Sequence, residues 1–148
     1  MGQYWKVVNL DRREFIHPHK VGAGLKLWEQ VANHPGTGAA LIILCAAQPE
    51  QRGGGDLSPC KDINEQVIGR WAGDRIALIG DYAEDCDLPD SPVPASKLYD
   101  LCTEDKESGW RDISELVAKQ IEHELGGKFV RKFGDWLNWV SASESQAG

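Results

Sequence analysis

The 148-residue sequence has no long hydrophobic run, because its longest apolar stretch, residues 39–47, is too short to cross a bilayer. It also has no secretory leader pattern, so we expect a cytoplasmic protein without a membrane partner. The four cysteines have no C-x-x-C spacing, and we expect them to be reduced thiols without a bound metal. Neither a phosphate-binding loop nor a dinucleotide-binding fingerprint is present. The sequence therefore predicts no cofactor and no catalytic residue.

Negative charge is concentrated in one segment. The formal net charge is −7, and residues 81–107 hold nine acidic and two basic residues, so this segment carries the entire net charge. Direct nucleic-acid binding is not expected, because neutralising phosphates requires a basic surface. A concentrated acidic segment can instead attract a protein with a basic surface, and a solvated acidic loop is the alternative interpretation. The candidate partner-binding residues are Glu84, Asp85, Asp87, Asp90, Asp100, Glu104, Asp105 and the aromatic residue Trp139.

Three short segments, residues 52–56, 69–75 and 80–82, each place an aspartate directly after a glycine. Glycine permits positive φ and close approach of a ligand, and arginine pairs with phosphate or carboxylate groups. These segments are a candidate site for a nucleotide-like or phosphate ligand. The candidate ligand-binding residues are Arg52, Gly53, Gly54, Gly55, Asp56, Arg70, Trp71, Asp74, Arg75, Asp81 and Tyr82.

Two other interpretations of the glycine-aspartate segments remain open. Asp56, Asp74 and Asp81 can hold a divalent ion if the fold brings them together, with His17 or His19 nearby. Alternatively the pairs are ordinary turns, in which aspartate bonds its own backbone. Because nothing in the spacing fixes their mutual geometry, no metal site is assigned.

The pattern of apolar residues predicts an α+β fold. Predicted strands cover residues 3–10, 14–17, 75–80 and 97–102. Predicted helices cover residues 25–32, 38–47, 113–125 and 129–140, the second being apolar on all sides and therefore buried. We expect one compact domain over residues 1–140, a small mainly antiparallel sheet packed with three to four helices, followed by a polar tail over 141–148.

The motifs resemble those of a family of small phage and bacterial proteins whose activity is uncharacterised. The matching motifs are Gly2-Gln3-Tyr4-Trp5, Val8-Asn9-Leu10-Asp11, Pro18-His19, Gly24 to Leu27, Arg52 to Asp56, Ile68 to Arg75, Gly80 to Tyr82, and Arg111 to Ser114. The resemblance covers residues 2–115 and departs after Tyr82, at the acidic segment. It implies a phage or prophage protein in the cytoplasm of a bacterial host, where small acidic proteins often inhibit host proteins.

Two functions of different classes follow. The first is an interaction protein that is not an enzyme, an inhibitor of a host defence component such as a CRISPR effector, which docks through acidic residues and exposed aromatics. The second is a nucleotide- or phosphate-binding domain, including a metal-dependent nucleotide-processing enzyme. One cleft holding all three glycine-aspartate segments favours the second function, whereas separate surface turns favour the first. We favour the first.

Overall fold

A four-stranded mixed sheet organises the residues that the computed structural model describes, 2–32 and 36–126. Its strands are β1 (Trp5–Asn9), β2 (Glu14–Ile16), β3 (Ile76–Gly80) and β4 (Arg111–Asp112). They lie in the order β3-β1-β2-β4, and β1 pairs antiparallel with both β2 and β3, whereas β2 pairs parallel with β4. This arrangement confirms the predicted α+β class with a mainly antiparallel sheet.

Four α-helices accompany the sheet within the described ranges. They are α1 (Glu29–Ala32), α2 (Gly36–Cys45), α3 (Ala95–Leu101) and α4 (Ser114–Leu125). Short 3-10 helices cover Pro18–Val21, Asp85–Asp87 and Lys106–Ser108. The predicted helix over 129–140, the residue Trp139 and the predicted tail lie outside the described residues.

The sheet separates two apolar layers. On one face Val7 and Ile16 pack with buried residues of α2 and α4. On the other face Val8, Phe15 and Ile79 pack with buried residues of α3. The alternation along β1 follows from the two-residue period of a strand, which sends successive side chains to opposite faces. Both faces of the sheet are therefore covered.

The first two predicted strands form a hairpin as β1 and β2, and Asn9 closes it. The Asn9 side-chain Oδ1 accepts hydrogen bonds from the backbone N–H groups of Asp11 and Arg12, at 2.9 and 2.8 Å. Arg13 completes the turn in the left-handed region, with φ of 56°. A short polar side chain that bonds the backbone two residues on is a recognised turn device.

The predicted strand over 97–102 is wrong, because these residues belong to helix α3 and its end. Ala95, Leu98 and Cys102 are buried, and their three- and four-residue spacing places them on one helical face against the sheet. The helix has only seven residues, so its apolar spacing repeats over less than two turns. A short apolar run of this length does not distinguish a helix from a strand.

The first predicted helix is shorter than expected, with only Glu29–Ala32 helical. The preceding segment instead bonds β1: the Trp5 N–H donates to the Leu25 carbonyl at 2.9 Å. The Gln30 side chain donates to the same carbonyl at 3.2 Å and to the Trp5 carbonyl at 3.0 Å. A carbonyl committed to β1 and Gln30 does not take part in a helical ladder, so the helix begins later.

The predicted burial of the second helix on all sides is also wrong, because helix α2 leaves Ile42 67% exposed. Strand β3 is likewise apolar and leaves Leu78 39% exposed, because β3 lies at the edge of the sheet rather than at its centre. Burial of a short apolar run depends on its place in the sheet order, which the run itself does not encode.

Replacement of Ile121 by alanine tests the packing of α4. Ile121 is 1% exposed and packs in the layer that contains α2. Because truncating a buried isoleucine removes transfer free energy and leaves a cavity, Ile121→Ala should lower the free energy of unfolding by roughly 2–5 kcal/mol. Lys119→Ala, on the exposed side of the same helix, is the matched control and should change it by less than about 0.5 kcal/mol. Urea denaturation measures both, and equal effects would contradict the described packing.

Candidate functional site

The first glycine-aspartate segment, residues 52–56, forms a self-contained turn. The Asp56 Oδ2 atom accepts hydrogen bonds from the backbone N–H groups of Gly53 and Arg52, at 2.9 and 3.2 Å, and from Gln48 Nε2 at 2.8 Å. The bonds from the two backbone N–H groups contribute most to lowering the pKa of Asp56, and the bond from Gln48 contributes less. Gly55 has φ of 90°, which favours glycine. Asp56 is therefore engaged within its own loop.

The second segment, residues 69–75, supplies a buried ion pair to the centre of the structure. Arg70 donates from Nε to Glu14 Oε1 at 2.9 Å and from Nη2 to Oε2 at 2.6 Å. The Trp71 indole Nε1 donates to Glu14 Oε1 at 2.9 Å. The Arg70 and Glu14 side chains are only 11% and 6% exposed. A charge-assisted fork of this kind satisfies the buried carboxylate and leaves neither Arg70 nor Trp71 turned toward solvent as a ligand group.

The end of this second segment fastens the β1–β2 hairpin to the start of β3. Asp74 Oδ2 accepts hydrogen bonds from Asn9 Nδ2 at 2.9 Å and from Arg12 Nε at 3.1 Å. Arg75 donates from its backbone N to Asp11 Oδ2 at 2.6 Å and from Nε to Asp11 Oδ1 at 2.9 Å. Both bonds from Arg75 lower the pKa of Asp11, and the bond from the backbone N–H has the larger effect. Asp74 and Arg75 thus hold a structural junction.

The third segment, residues 80–82, lies at the opposite end of β3. Asp81 Oδ1 accepts a hydrogen bond from the Tyr4 N–H at 2.8 Å, and the Tyr82 side chain is 58% exposed. Asp74 and Asp81 are roughly 20 Å apart, given a rise of about 3.3 Å per strand residue. The structure therefore does not bring the three segments into one cleft, and ligand binding at any one of them stays a prediction.

The acidic segment forms a folded layer on one face of the sheet. We call residues 81–107 the acidic layer. Its inner side chains, among them Ala95, Leu98 and Cys102, are buried against the sheet. Its outer side chains are exposed acids, and of the nine acidic residues only Asp81 is partly buried. The apolar inner face fixes the layer on the sheet and directs its charge outward.

Short aspartates hold the shape of the acidic layer by capping backbone N–H groups. Asp85 Oδ1 accepts from the Ser96 N–H at 3.0 Å, at the start of α3. Asp87 Oδ2 accepts from the Glu84 N–H at 2.8 Å, and Asp105 Oδ1 accepts from the Glu107 N–H at 3.0 Å. The bonds from Ser96 lower the pKa of Asp85, so its charge is stabilised rather than removed. All three carboxylates bond neutral N–H groups rather than cations.

Basic partners are scarce in the acidic layer. The ion pairs within the described ranges include Arg12–Asp74, Arg70–Glu14, Arg75–Asp11 and Arg111–Glu65, all formed with acids outside the layer. Of all the ion pairs formed by the described residues, only the one between Lys20 and Glu104 uses an acid of the layer. Six basic residues of the described ranges form ion pairs, and the two basic residues of the layer itself, Lys97 and Lys106, balance only two of its nine acids. The layer therefore keeps a net negative surface.

A lysine that sequence reasoning missed lies at the border of the acidic layer. Lys20 Nζ bonds Asp112 Oδ2 at 2.5 Å and also bonds Glu104. Burial acts to lower the pKa of Lys20, but its bonds to Asp112 and Glu104 outweigh that effect and raise it. A cleft of about 570 Å³ opens beside this group, with Trp110 and Arg111 in its lining. No sequence signal predicts the group, because 92 residues separate Lys20 from Asp112.

Lys6, beneath the acidic layer, caps the end of α3. Its Nζ donates to the Cys102 carbonyl at 2.6 Å and lies 4.1 Å from the centre of the Tyr99 ring. A cation at the carboxyl end of a helix complements the helix dipole. Burial lowers the pKa of Lys6 and raises the pKa of the Cys102 thiol to about 12. Cys102 is therefore a buried, unreactive thiol rather than a nucleophile.

The two histidines considered as metal ligands bond locally instead. His17 Nδ1 accepts a hydrogen bond from the His19 N–H at 3.3 Å, and the ring centroids are 5.3 Å apart. Burial is the main cause that lowers the pKa of His17, and the nearby His19 lowers it further. Within residues 2–32 and 36–126, no group of three or more histidine, cysteine, aspartate or glutamate residues is placed to hold a metal ion.

Comparisons with protein-family models, with curated proteins and with solved structures found no match to this chain. The resemblance to the phage and bacterial family therefore stays a prediction. No helix in the described part of the chain has the length and apolar character needed to cross a membrane.

Arginine 70 should contribute far more to stability than a surface arginine. Arg70→Ala leaves the buried Glu14 carboxylate without its charged partner, and we expect a loss of roughly 3–5 kcal/mol in the free energy of unfolding. Arg111→Ala is the matched control, because Arg111 forms a forked pair with Glu65 at the surface, at 2.6 and 2.7 Å. An exposed pair contributes about 0.2–1 kcal/mol. Comparable losses on urea denaturation would contradict the assigned role of the buried pair.

Glu14 should also make stability depend on pH. Burial acts to raise its pKa, but hydrogen bonds from Arg70 and Trp71 outweigh burial, so the pKa lies below the ordinary value of 4.5. The stabilisation is complete above the unfolded-state pKa and is lost as pH falls through the lower folded-state pKa. The difference in unfolding free energy between wild type and Glu14→Gln should therefore be constant near neutral pH and narrow below about pH 4.5. A difference that stays constant in acid would contradict this assignment.

Proposed function

We propose that this protein is a small interaction protein that binds a basic surface of another protein through its acidic layer. The observation that carries the proposal is the separation of charge within the molecule. Of the ion pairs among the described residues, only the one between Lys20 and Glu104 uses an acid of the layer, and the layer itself holds nine acids against two basic residues. Uncompensated charge on one face creates a potential that attracts an oppositely charged surface.

The rigidity of the acidic layer also supports this proposal. Its carboxylates project from an element with an apolar inner face and from backbone turns closed by Asp85, Asp87 and Asp105. Fixed charges lose less conformational entropy on binding than charges on a flexible loop. Exposed Tyr82 lies at the start of the layer and adds aromatic surface of the kind enriched at protein interfaces.

The resemblance to phage and bacterial proteins gives this proposal a specific form. In that form the partner is a host protein with a basic surface, and the protein is its inhibitor, for example an inhibitor of a defence component. The alternative nucleotide-binding function receives less support, because its candidate residues have partners within the fold and lie in separate parts of it. Asp56, Arg70 and Asp81, one from each segment, all have internal partners.

Removing charge from the acidic layer should slow association with the partner. Asp90, Asp100 and Glu107 are exposed acids of the layer that close no described turn. The triple variant Asp90→Asn, Asp100→Asn, Glu107→Gln should stay folded and bind a partner captured from bacterial lysate about tenfold more slowly at low salt, because steering raises association rates by roughly 10–10³. The slowing should shrink as salt rises, since screening acts over about 8–10 Å near physiological ionic strength.

A matched control separates the acidic layer from total charge. The variant Glu50→Gln, Asp62→Asn, Glu122→Gln removes three exposed acids outside the layer and changes net charge equally. Association rates of both triple variants and wild type, measured at two salt concentrations, decide the question. Equal slowing of the two variants, or rates that do not depend on salt, would contradict recognition by the layer.

A further inference from the structure

Strand β3 has one edge that no described strand covers. It lies at the end of the sheet order, and β1 pairs with its other edge. The ladder is extended by bonds from the Leu10 N–H to the Arg75 carbonyl and from the Asp81 N–H to the Tyr4 carbonyl, each 2.9 Å. Alternation in an antiparallel ladder then directs the backbone N–H and carbonyl groups of Ala77 and Ile79 toward β1.

The same alternation directs the backbone groups of Ile76, Leu78 and Gly80 outward. Among the described residues, no hydrogen bond outside the β1–β3 ladder uses the N–H or carbonyl of Ile76 or Leu78, and the Gly80 carbonyl accepts from Ala83 at 3.2 Å. Such a row of outward N–H and carbonyl groups is a template for one more strand.

Space and apolar surface are available beside this edge. A groove of about 340 Å³ lies against the first half of β3, with Ile76, Ala77, Leu88 and Asp90 in its lining. Leu78, at the centre of the strand, is 39% exposed on the opposite face from Ala77. An extended segment placed here can form main-chain hydrogen bonds and apolar contacts with the same strand.

The charges around the edge select the occupant. Arg75, at the start of β3, is already paired with Asp11 at 2.8 Å. The remaining charges at the edge are acidic, with Asp90 in the groove and Asp81 at the end of the strand. A second copy of this chain would bring two acidic layers together, each within a chain of net charge −7, and like charges oppose that contact. A basic segment fits the same edge.

We propose that the outer edge of β3 accepts an extended basic segment of the partner protein as a fifth strand of the sheet. This inference rests on the proposed function and names the part of the partner that binds. Side chains of an added strand alternate between the two faces of the sheet. Basic residues would face the side that holds Asp81 and Asp90, and apolar residues would lie beside Leu78.

Two substitutions at one position test the proposal. Leu78→Pro removes the outward N–H, and proline is tolerated where a strand N–H faces away from the ladder. Leu78→Thr removes the same apolar side chain and keeps the N–H. The probe is a fluorescent ten-residue peptide that alternates lysine and valine, and the control peptide has the same sequence with alternate amides N-methylated. Circular dichroism and urea denaturation check that both variants are folded.

Strand addition at this edge predicts a specific pattern of binding. Wild type should bind the probe and not the methylated peptide, and Leu78→Pro should weaken binding at least about tenfold, because main-chain bonds supply most of the affinity of strand addition. Leu78→Thr should weaken it less than about threefold. Bound probe should also slow hydrogen exchange at the amide of Leu78, whereas the amides of Ala77 and Ile79, already bonded to β1, should change little.

Other outcomes overturn the proposal and separate it from the proposed function. Equal binding of the probe to both Leu78 variants, or equal binding of the two peptides, would contradict strand addition. Charge alone would then account for recognition of the probe. A dimer of the chain that Leu78→Pro abolishes in sedimentation would make a second copy the occupant. If the probe does not bind but the lysate partner still binds the acidic layer with salt dependence, strand addition fails and the proposed function stands.

Discussion

The buried pair between Glu14 and Arg70 is the interaction on which the rest of the fold depends. Glu14 lies on β2, in the middle of the sheet, and a carboxylate there is tolerable only if it is bonded by charged or polar donors. Arg70 and Trp71 supply these donors from a segment that also bonds α2: the Trp71 N–H donates to the Leu44 carbonyl at 2.8 Å. One carboxylate thereby connects the sheet, the 69–75 segment and the main helical layer.

The same pair gives two side chains of a conspicuous motif a structural role. An arginine and a tryptophan between glycines have the composition of a nucleotide-binding loop, yet both side chains turn inward to Glu14. Sequence reasoning could not find this, because 56 residues separate Arg70 from Glu14 and nothing local marks Glu14 as buried. By contrast, the turn chemistry of Asp56 is local, and ordinary turn formation was among the interpretations that the sequence supported.

Elements with a strong local signal were predictable, and elements defined by tertiary contacts were not. The β1–β2 hairpin and the α4 helix followed from turn residues and helical periodicity. Helix α3 was mistaken for a strand because seven residues are too few to show a helical period, and its burial comes from contact with Val8, Phe15 and Ile79 on the sheet. The exposure of Leu78 follows from sheet order alone. The acidic charge was readable in the sequence, whereas its attachment to a rigid layer required the fold.

The turn-closing aspartates of the acidic layer have a consequence for how this surface can change. Asp85, Asp87 and Asp105 each reach a backbone N–H with a carboxylate on a single methylene group. Asparagine keeps that acceptor at the same distance, whereas glutamate keeps the charge but moves its oxygens outward by a methylene group. The surface can therefore lose charge with its shape intact more readily than it can exchange one acid for the other, and its charge is adjustable independently of its architecture.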